Sequence, residues 1–364
     1  MSDLLKRLQK NSVVKPQLLK NSKYFDNGEV VPTSTPLLNL ALRGTFKGGL
    51  TSGITMIAAP PKHFKTNFML DLMKTFQDHF VKEDAVCILY DSEKGYSKDY
   101  FVKAGIDMER VDHRFITSVE QLKTDMANLV TDVKEGEKVF IAIDSLGMLP
   151  SLKEVTDALN SKESVDMTRA KQIKSLIRIV MPHIALKDIY VVILNHSYKT
   201  LELYAKDVAS GGNAAQYAGH TLWFISKAQE KEGDELAGYR FTIKAALSRY
   251  VKEQSTFPIV AIYGEGIKKY SGIFDLAFDA GFIKDWTDPE ETPDEKKARL
   301  AIEKAEKKAA KDSKGKKKYS GALKTYEWLG EEYSQNDMEN DPIIMEALLA
   351  NPAFCDAVEC KYKL

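Results

Sequence analysis

The sequence predicts an α/β fold built on a mostly parallel central sheet. Five short apolar runs lack strict polar alternation and predict strands covered on both faces; they lie at residues 54–59, 85–91, 139–144, 189–195 and 222–226. Longer amphipathic segments separate the runs, and this alternation of strand and helix signals is typical of a parallel sheet. Two later runs, at 241–247 and 256–263, predict a hairpin-type extension of the sheet.

Two of the intervening segments carry clear helix signals. Ser118 and Gln121 have the spacing of a capping box that opens a helix through Val133. Farther along, one apolar stripe at helical spacing is formed by Ile173, Leu176, Ile177, Val180 and Ile184. Both segments are therefore predicted to pack against the sheet.

Composition sets limits on the class of protein. The chain has 364 residues, 44% of them hydrophobic and 29% charged, which is ordinary for a soluble globular protein. No apolar run of membrane-spanning length and no signal-peptide pattern is present. Three cysteines without metal-binding spacing fit a reducing cytoplasm, and Cys87 in a strand run is expected to be buried. The net charge of zero does not exclude DNA binding, because binding depends on where positive charge is placed on the surface.

Changes in composition divide the chain into four predicted parts. Residues 1–29 form a polar, lysine-rich arm for subunit contact, and residues 30–283 form the α/β core. Residues 284–318 predict a charged helix and a flexible basic linker, and residues 319–364 a small, mostly helical region. The basic run 311–318 could bind DNA, but its composition favours a solvated linker.

The sharpest local feature is the segment 59–66, which follows the first predicted strand and opens a helix. A strand–loop–helix of this kind aims backbone N–H groups and a helix N-terminus at a polyphosphate. The predicted ATP-binding cradle consists of Ala59, Pro60, Pro61, Lys62, His63 and Phe64. Lys65 would contact the β- and γ-phosphates, and the Thr66 hydroxyl would hold Mg²⁺. Taken alone, the Lys-Thr pair could also begin an ordinary helix.

The cradle has Ala59 and Phe64 where the usual pattern has glycine. Alanine fits the first of these positions only with a negative φ. Phe64 requires a side chain that points outward. The loop is therefore expected to accept these two residues only under these conditions.

Two later strands end in acidic residues. Asp144 is placed to bind Mg²⁺ beside Thr66, although an aspartate after a strand can also be a helix N-cap. Glu93 could orient the attacking water or accept its proton, or it could be a surface acid in a turn. The chain order of phosphate loop, first acidic strand end and second acidic strand end favours the catalytic interpretation.

This order resembles the ATPase core of the RecA-type recombinases, and most of all the UvsX recombinases of T-even-like bacteriophages. The similar motifs are Phe-Lys-Thr-Asn-Phe at 64–68, Tyr-Asp-Ser-Glu at 90–93, Ile-Asp-Ser-Leu-Gly at 143–147 and Asp-Met-Thr-Arg-Ala-Lys at 166–171. The resemblance extends to about residue 283 and returns at 351–358. It implies a RecA-like P-loop ATPase core, and it includes a phenylalanine before the loop lysine, whereas Ala59 departs from it.

The resemblance also assigns expected roles to residues of the site. Glu93 would activate water, and Tyr100 would stack on adenine, unless Tyr100 is only a buried aromatic. His196 would sense the γ-phosphate, unless it is only a satisfied strand-end histidine. Arg249 would reach across the subunit interface to the neighbouring nucleotide. Leu247 stands where the family usually has a second basic residue.

The resemblance further implies that two segments after strands, 147–167 and 197–216, line the filament axis and contact DNA. The predicted DNA-binding residues are Arg169, Lys199, Lys206, Gly211, Gly212 and Asn213. The glycine pair suits phosphate contact because no side chain obstructs a close approach. Composition alone also allows two flexible surface loops.

The function implied by the resemblance is a DNA-dependent ATPase and recombinase that uses ATP and Mg²⁺. It would form helical filaments on single-stranded DNA and pair it with homologous duplex DNA. Strand exchange would then serve viral recombination, repair and replication in the cytoplasm of the host bacterium. A single-strand binding protein and a loading mediator are the expected partners, with no membrane.

Two alternatives remain. A hexameric helicase with the same core is disfavoured by the short N-terminal arm. A mediator that binds DNA without exchanging strands is disfavoured because Glu93 and Lys65 are both present.

Overall fold

The computed structural model describes most of the chain, namely residues 3–14, 16–22, 28–161, 167–200, 207–210, 219–232, 235–285 and 325–364. The chain forms two compact units. One comprises residues 1–33, 49–225 and 246–249, and the other comprises residues 34–48, 226–245 and 250–364. The predicted boundaries after residues 29, 283 and 318 stay predictions, and most of the predicted charged helix and linker lies outside the described residues.

The strands in the described part of the chain are β1 (Gly53–Ala59), β2 (Val86–Asp91), β3 (Val111–Phe115), β4 (Val139–Asp144), β5 (Tyr190–Lys199), β6 (Asp207–Ala209), β7 (Thr221–Glu232), β8 (Glu235–Ser248), β9 (Thr256–Ile262), β10 (Gly266–Ile267), β11 (Lys284–Asp285), β12 (Thr325–Trp328) and β13 (Glu331–Ser334). The helices are α1 (Asp3–Lys10), α2 (Pro36–Arg43), α3 (Lys65–His79), α4 (Lys98–Lys103), α5 (Val119–Asp132), α6 (Leu152–Leu159), α7 (Thr168–Lys187), α8 (Ile273–Asp279), α9 (Gln335–Asn340), α10 (Pro342–Ala350) and α11 (Pro352–Tyr362).

A parallel sheet forms the centre of the first unit, in the order β7-β1-β5-β4-β2-β3. Every pairing along this order is parallel, and the short β6 adds to β5 in the antiparallel direction. The five apolar runs predicted as strands are β1, β2, β4, β5 and β7, so the α/β fold with a mostly parallel sheet is confirmed. Cys87 is buried in β2, as expected.

Of the six strands in this parallel order, β3 is the one that was not predicted from the sequence. It lies at the end of the sheet order, and three of its five residues, Asp112, His113 and Phe115, are exposed. An edge strand needs no continuous apolar run, because its side chains are partly open to solvent and charged residues are common there. Its sequence therefore lacks the signal on which the other strands were predicted.

The helix predictions for this unit are confirmed. The Ser118 hydroxyl accepts a hydrogen bond from the Gln121 N–H at 3.2 Å and caps α5. In a capping box the Gln121 side chain would accept from the N–H of Ser118 in return. Here it accepts instead from the N–H of Thr117, one residue earlier. The whole apolar stripe of α7 is buried in the core of the unit. None of the described helices combines the length and apolarity needed to cross a membrane.

The second unit contains the predicted hairpin extension, confirmed as the antiparallel pair β8 and β9. α2 packs against β9 and ends at Gly44, whose φ of 70° suits glycine. Toward the C-terminus, three helices follow β12 and β13. These two antiparallel strands were not predicted, since residues 319–364 were expected to be mostly helical.

Gly53, at the start of β1, offers a test of the packing in the first unit. Its φ is 111°, and an added Cβ would lie 2.0 Å from Nδ1 of His220. Gly53→Ala is therefore expected to lower the free energy of unfolding by about 2–4 kcal/mol, through backbone strain together with the clash. Urea denaturation of the purified protein measures this loss.

Gly136→Ala is the matched control. Gly136 also has a positive φ, 95°, but an added Cβ would meet no described atom within 4 Å. It should cost only the backbone strain, about 1–2 kcal/mol. Equal losses for the two variants would show that His220 yields to the new methyl group and that the clash contributes nothing.

Candidate ATP site and DNA-contacting segments

The site lies where four neighbouring parallel strands end. The strand register places Ala59 beside His196 and Asp91 beside Asp144. Because the strands are parallel, their carboxyl ends share one edge of the sheet. Residues that are far apart in the chain, on β1, β2, β4 and β5, are thereby brought together.

The loop between β1 and α3 has an unusual backbone. Lys62 and Phe64 have φ values of 61° and 64°, in the left-handed region that usually favours glycine. Ala59, in contrast, keeps a negative φ, as the sequence analysis required. Phe64 is half-buried and packs edge-on against Phe68, with the ring centroids 5.7 Å apart. The ring is thus held against α3 rather than fully outward as expected.

Lys65 begins α3 and is buried, with 8% of its surface exposed. Its ammonium donates hydrogen bonds to the carbonyl oxygens of Ala59 and Pro60, each at 3.2 Å. Burial lowers the pKa of Lys65, while the charges of Asp144 and Glu93 act in the opposite direction. The amine is therefore held by backbone carbonyls of the loop and interacts electrostatically with two carboxylates. Elsewhere in the loop, the His63 ring contacts the carbonyl of Pro61 at 2.9 Å.

Thr66 and Asp144 are in direct contact. The Thr66 hydroxyl donates to Oδ2 of Asp144 at 2.9 Å. Burial raises the pKa of Asp144 to about 6, with the charge of Glu93 adding to the rise, while the Thr66 hydrogen bond opposes it. A buried carboxylate with this pKa is poised to be stabilised by added positive charge.

Glu93 follows β2 and faces two polar partners from other strands. One carboxylate oxygen, Oε1, accepts a hydrogen bond from the Ser145 hydroxyl and lies 3.0 Å from Nε2 of His196. Burial acts to raise the pKa of Glu93, but the contacts with Ser145 and His196 and the charge of Lys65 outweigh it. Its pKa is therefore lowered, and Glu93 is ionised at neutral pH.

The turn that carries Glu93 is organised by residues to which the sequence analysis gave no role. Oδ1 of the buried Asp91 accepts from the backbone N–H groups of Glu93 and Lys94, at 2.9 and 2.8 Å. The Ser92 hydroxyl accepts from the N–H of Ser145 at 3.0 Å and donates to its carbonyl at 2.9 Å. The available signal was the Asp-Ser pair at a strand end, since both types often bond nearby backbone.

Tyr100 lies in the first turns of α4, and its hydroxyl donates to Oδ1 of Asn67 on α3. Burial raises the pKa of the phenol. The side chain is half-buried beside α3. Its predicted stacking on adenine stays a prediction.

Arg249 is exposed, and its backbone N–H donates to the carbonyl of His220 at 3.0 Å. Within the described residues, no carboxylate pairs with its guanidinium. Leu247, two residues earlier, packs against the apolar core of the first unit. Leu247 thus faces the core, whereas the Arg249 side chain faces solvent. Its predicted contact with the nucleotide of a neighbouring subunit stays a prediction.

The predicted DNA-binding residues fall into two groups. Lys199 is exposed at the end of β5, in register with Asp207 of β6. Arg169 is half-buried and hydrogen-bonded to backbone carbonyls. Four others lie outside the described residues, and they are Lys206, Gly211, Gly212 and Asn213.

Comparison with known proteins identifies the family. The chain is 44% identical over 284 residues to the recombination and repair protein of Enterobacteria phage T4, covering 78% of this chain and 72% of that protein. The chain belongs to the RecA-type recombinases. RecA of Chlorobaculum tepidum is 25% identical over 260 residues, covering 70% of this chain and 72% of that RecA. RecA of Bifidobacterium breve is 24% identical over 262 residues, covering 71% and 64%. No family model matches the sequence.

Membership of this family makes the sheet edge described above the candidate ATP site. The resemblance inferred from the motifs is confirmed by the phage relative and by the RecA proteins. The comparisons identify the family, whereas the roles of Lys65, Glu93, His196 and Arg249 stay predictions.

Proposed function

We propose that this recombinase hydrolyses ATP at the shared edge of β1, β2, β4 and β5, and that DNA stimulates the reaction. A RecA-type recombinase acts in recombination and repair through strand exchange, as the phage and bacterial relatives indicate. The observation that carries the ATPase proposal is the convergence of the Lys65, Thr66, Asp144 and Glu93 side chains at one edge of the sheet.

The donor set at this edge fits Mg²⁺. A hydroxyl and a carboxylate, from Thr66 and Asp144, are oxygen ligands of the kind that Mg²⁺ prefers. Among the described residues no group of three His, Cys, Asp or Glu side chains could hold a metal. The other ligands would therefore be phosphate oxygens and water. When bound, Mg²⁺ would neutralise negative charge on the β- and γ-phosphates.

The residues of the chain then divide the chemistry among them. The loop N–H groups and the ammonium of Lys65 would bind the phosphates. The ionised Glu93 would take a proton from the attacking water, and His196 would contact the γ-phosphate and Glu93 together. Arg249 of an adjacent subunit would stabilise charge on the transferring phosphoryl group.

DNA binding is proposed for the segments that follow β4 and β5. Lys199 and Lys206 would contact phosphates, and Gly211, Gly212 and Asn213 would offer backbone N–H groups to them. The protein would assemble as a helical filament on single-stranded DNA and pair it with homologous duplex. It would work with a single-strand binding protein and a loading mediator in viral recombination, repair and replication, in the cytoplasm of the host bacterium.

ATP hydrolysis and strand exchange by the purified protein test the proposal. Turnover is expected to rise when single-stranded DNA is added, and labelled single strands should exchange into a homologous duplex but not into a heterologous one. Turnover indifferent to DNA would contradict coupling. Unwinding of a forked duplex without pairing would favour the helicase, and DNA binding without hydrolysis would favour the mediator.

A further inference from the structure

Arg169 occupies a position that a DNA contact does not explain. It lies in the first turn of α7, where the helix dipole disfavours a cation. It is also half-buried, although a phosphate-binding arginine gains by reaching into solvent. Both features indicate that the guanidinium serves another purpose.

The guanidinium is engaged with one short stretch of backbone. Its Nε donates to the carbonyl of Leu149 at 2.7 Å, and its Nη2 donates to the carbonyls of Leu146 and Gly147 at 3.0 and 2.9 Å. These carbonyls belong to the turn that directly follows Asp144 and Ser145. The planar guanidinium presents N–H donors from separate nitrogens in a fixed geometry and so reaches all three carbonyls, whereas an ammonium donates from one atom only.

The same turn lies against Asn195 and His196 of β5. A Cβ added to Gly147 would lie 2.7 Å from Oδ1 of Asn195 and 3.1 Å from both the N and Cδ2 of His196. Only a residue without a side chain permits this approach. A shift of the turn would therefore displace His196, and His196 contacts Glu93.

We propose that Arg169 is a positioning residue that clamps the turn at residues 146–149 against Asn195 and His196 and so sets the geometry of Glu93. This inference rests on the proposed ATPase function. It also revises the expectation that Arg169 binds DNA phosphate. The guanidinium of Arg169 binds backbone carbonyls within the protein, and other residues contact DNA. The clamp joins the two segments proposed to bind DNA at the point where each leaves the sheet.

Arg169→Lys and Arg169→Ala separate the two roles, because lysine keeps the charge but loses the fork. If Arg169 acts as a clamp, both variants should lower kcat at saturating single-stranded DNA by about 10- to 100-fold, the scale of a small misplacement of reacting groups. KM for ATP should change little. The salt dependence of DNA binding, measured by fluorescence anisotropy, should keep the slope of the unchanged protein.

Gly147→Ala tests the same contact from the other side. The added methyl group would push Asn195 and His196 directly, so the variant should also lose kcat with little change in KM for ATP. Lys171→Ala is the control, since Lys171 is exposed on the same helix and should leave kcat unchanged.

A phosphate contact would give the opposite result. Arg169→Lys would then keep kcat and DNA affinity, and Arg169→Ala would reduce the salt slope by about 0.7, the value for one charge on a single strand. That outcome would overturn the clamp while leaving the ATPase intact. If the unchanged protein itself hydrolyses no ATP, the proposed function fails, and that result is distinct from the failure of the clamp.

Discussion

Glu93→Gln is expected to lower the turnover of ATP at saturating single-stranded DNA by about 10²–10⁴-fold, the usual contribution of a general base. Glutamine has nearly the same shape and can still accept a hydrogen bond from Ser145. It cannot take a proton from water, so chemistry should fail while the site stays assembled. Steady-state hydrolysis and equilibrium binding of ATP measure the two effects separately.

ATP affinity should stay within a few-fold of that of the unchanged protein, because Glu93 is proposed to touch the attacking water rather than the nucleotide. Glu135→Gln is the matched control, since Glu135 is exposed in the turn before β4, away from the site. Undiminished turnover in Glu93→Gln would remove Glu93 from the mechanism. Equal losses in both variants would point to a general effect of the charge change.

Arg249→Ala should reduce turnover by about 10³-fold or more, the scale of an arginine supplied to a phosphoryl-transfer site. The side chain is exposed, and its backbone is fixed by the carbonyl of His220, so its removal should leave the fold intact. Turnover at saturating DNA and ATP measures the loss, and thermal unfolding checks the fold. Arg178→Ala, on the exposed face of α7, is the control for losing one surface arginine.

Mixing the two inactive variants tests whether Arg249 acts on a neighbouring subunit. In a one-to-one mixture that assembles at random, about a quarter of the interfaces combine an intact Glu93 with an intact Arg249. Glu93→Gln and Arg249→Ala together should therefore regain about a quarter of the normal turnover. If mixing restores nothing, Arg249 acts within its own chain or in another step, and the interfacial site is wrong.

The parts of the fold that could be predicted are those with signals in consecutive residues. A strand covered on both faces needs an unbroken apolar run, and β1, β2, β4, β5 and β7 each have one. β3 escaped prediction because its edge position allows polar residues. β12 and β13 escaped as well, since each is only four residues long.

Prediction of the site follows the same division. Lys65 and Thr66 are adjacent in the chain and open α3 directly after a strand and a loop, so a phosphate-binding role could be predicted for them from the sequence. Glu93, in contrast, meets Ser145 and His196, which are 52 and 103 residues away in the chain. Such contacts depend on the order of strands in the sheet, which periodicity does not specify.

The sequence by itself determined the fold class and the family, because these depend on local patterns and on the order of motifs along the chain; the phosphate loop is predicted from the same patterns. Only the tertiary structure decided which partners each polar side chain has. Arg169 shows the difference most clearly: its charge and its place after a loop suggested DNA, but in the fold it is half-buried and donates hydrogen bonds to the carbonyls of Leu146, Gly147 and Leu149. A charge is visible in a sequence, whereas the group that satisfies it is set by burial and by the packing of distant elements.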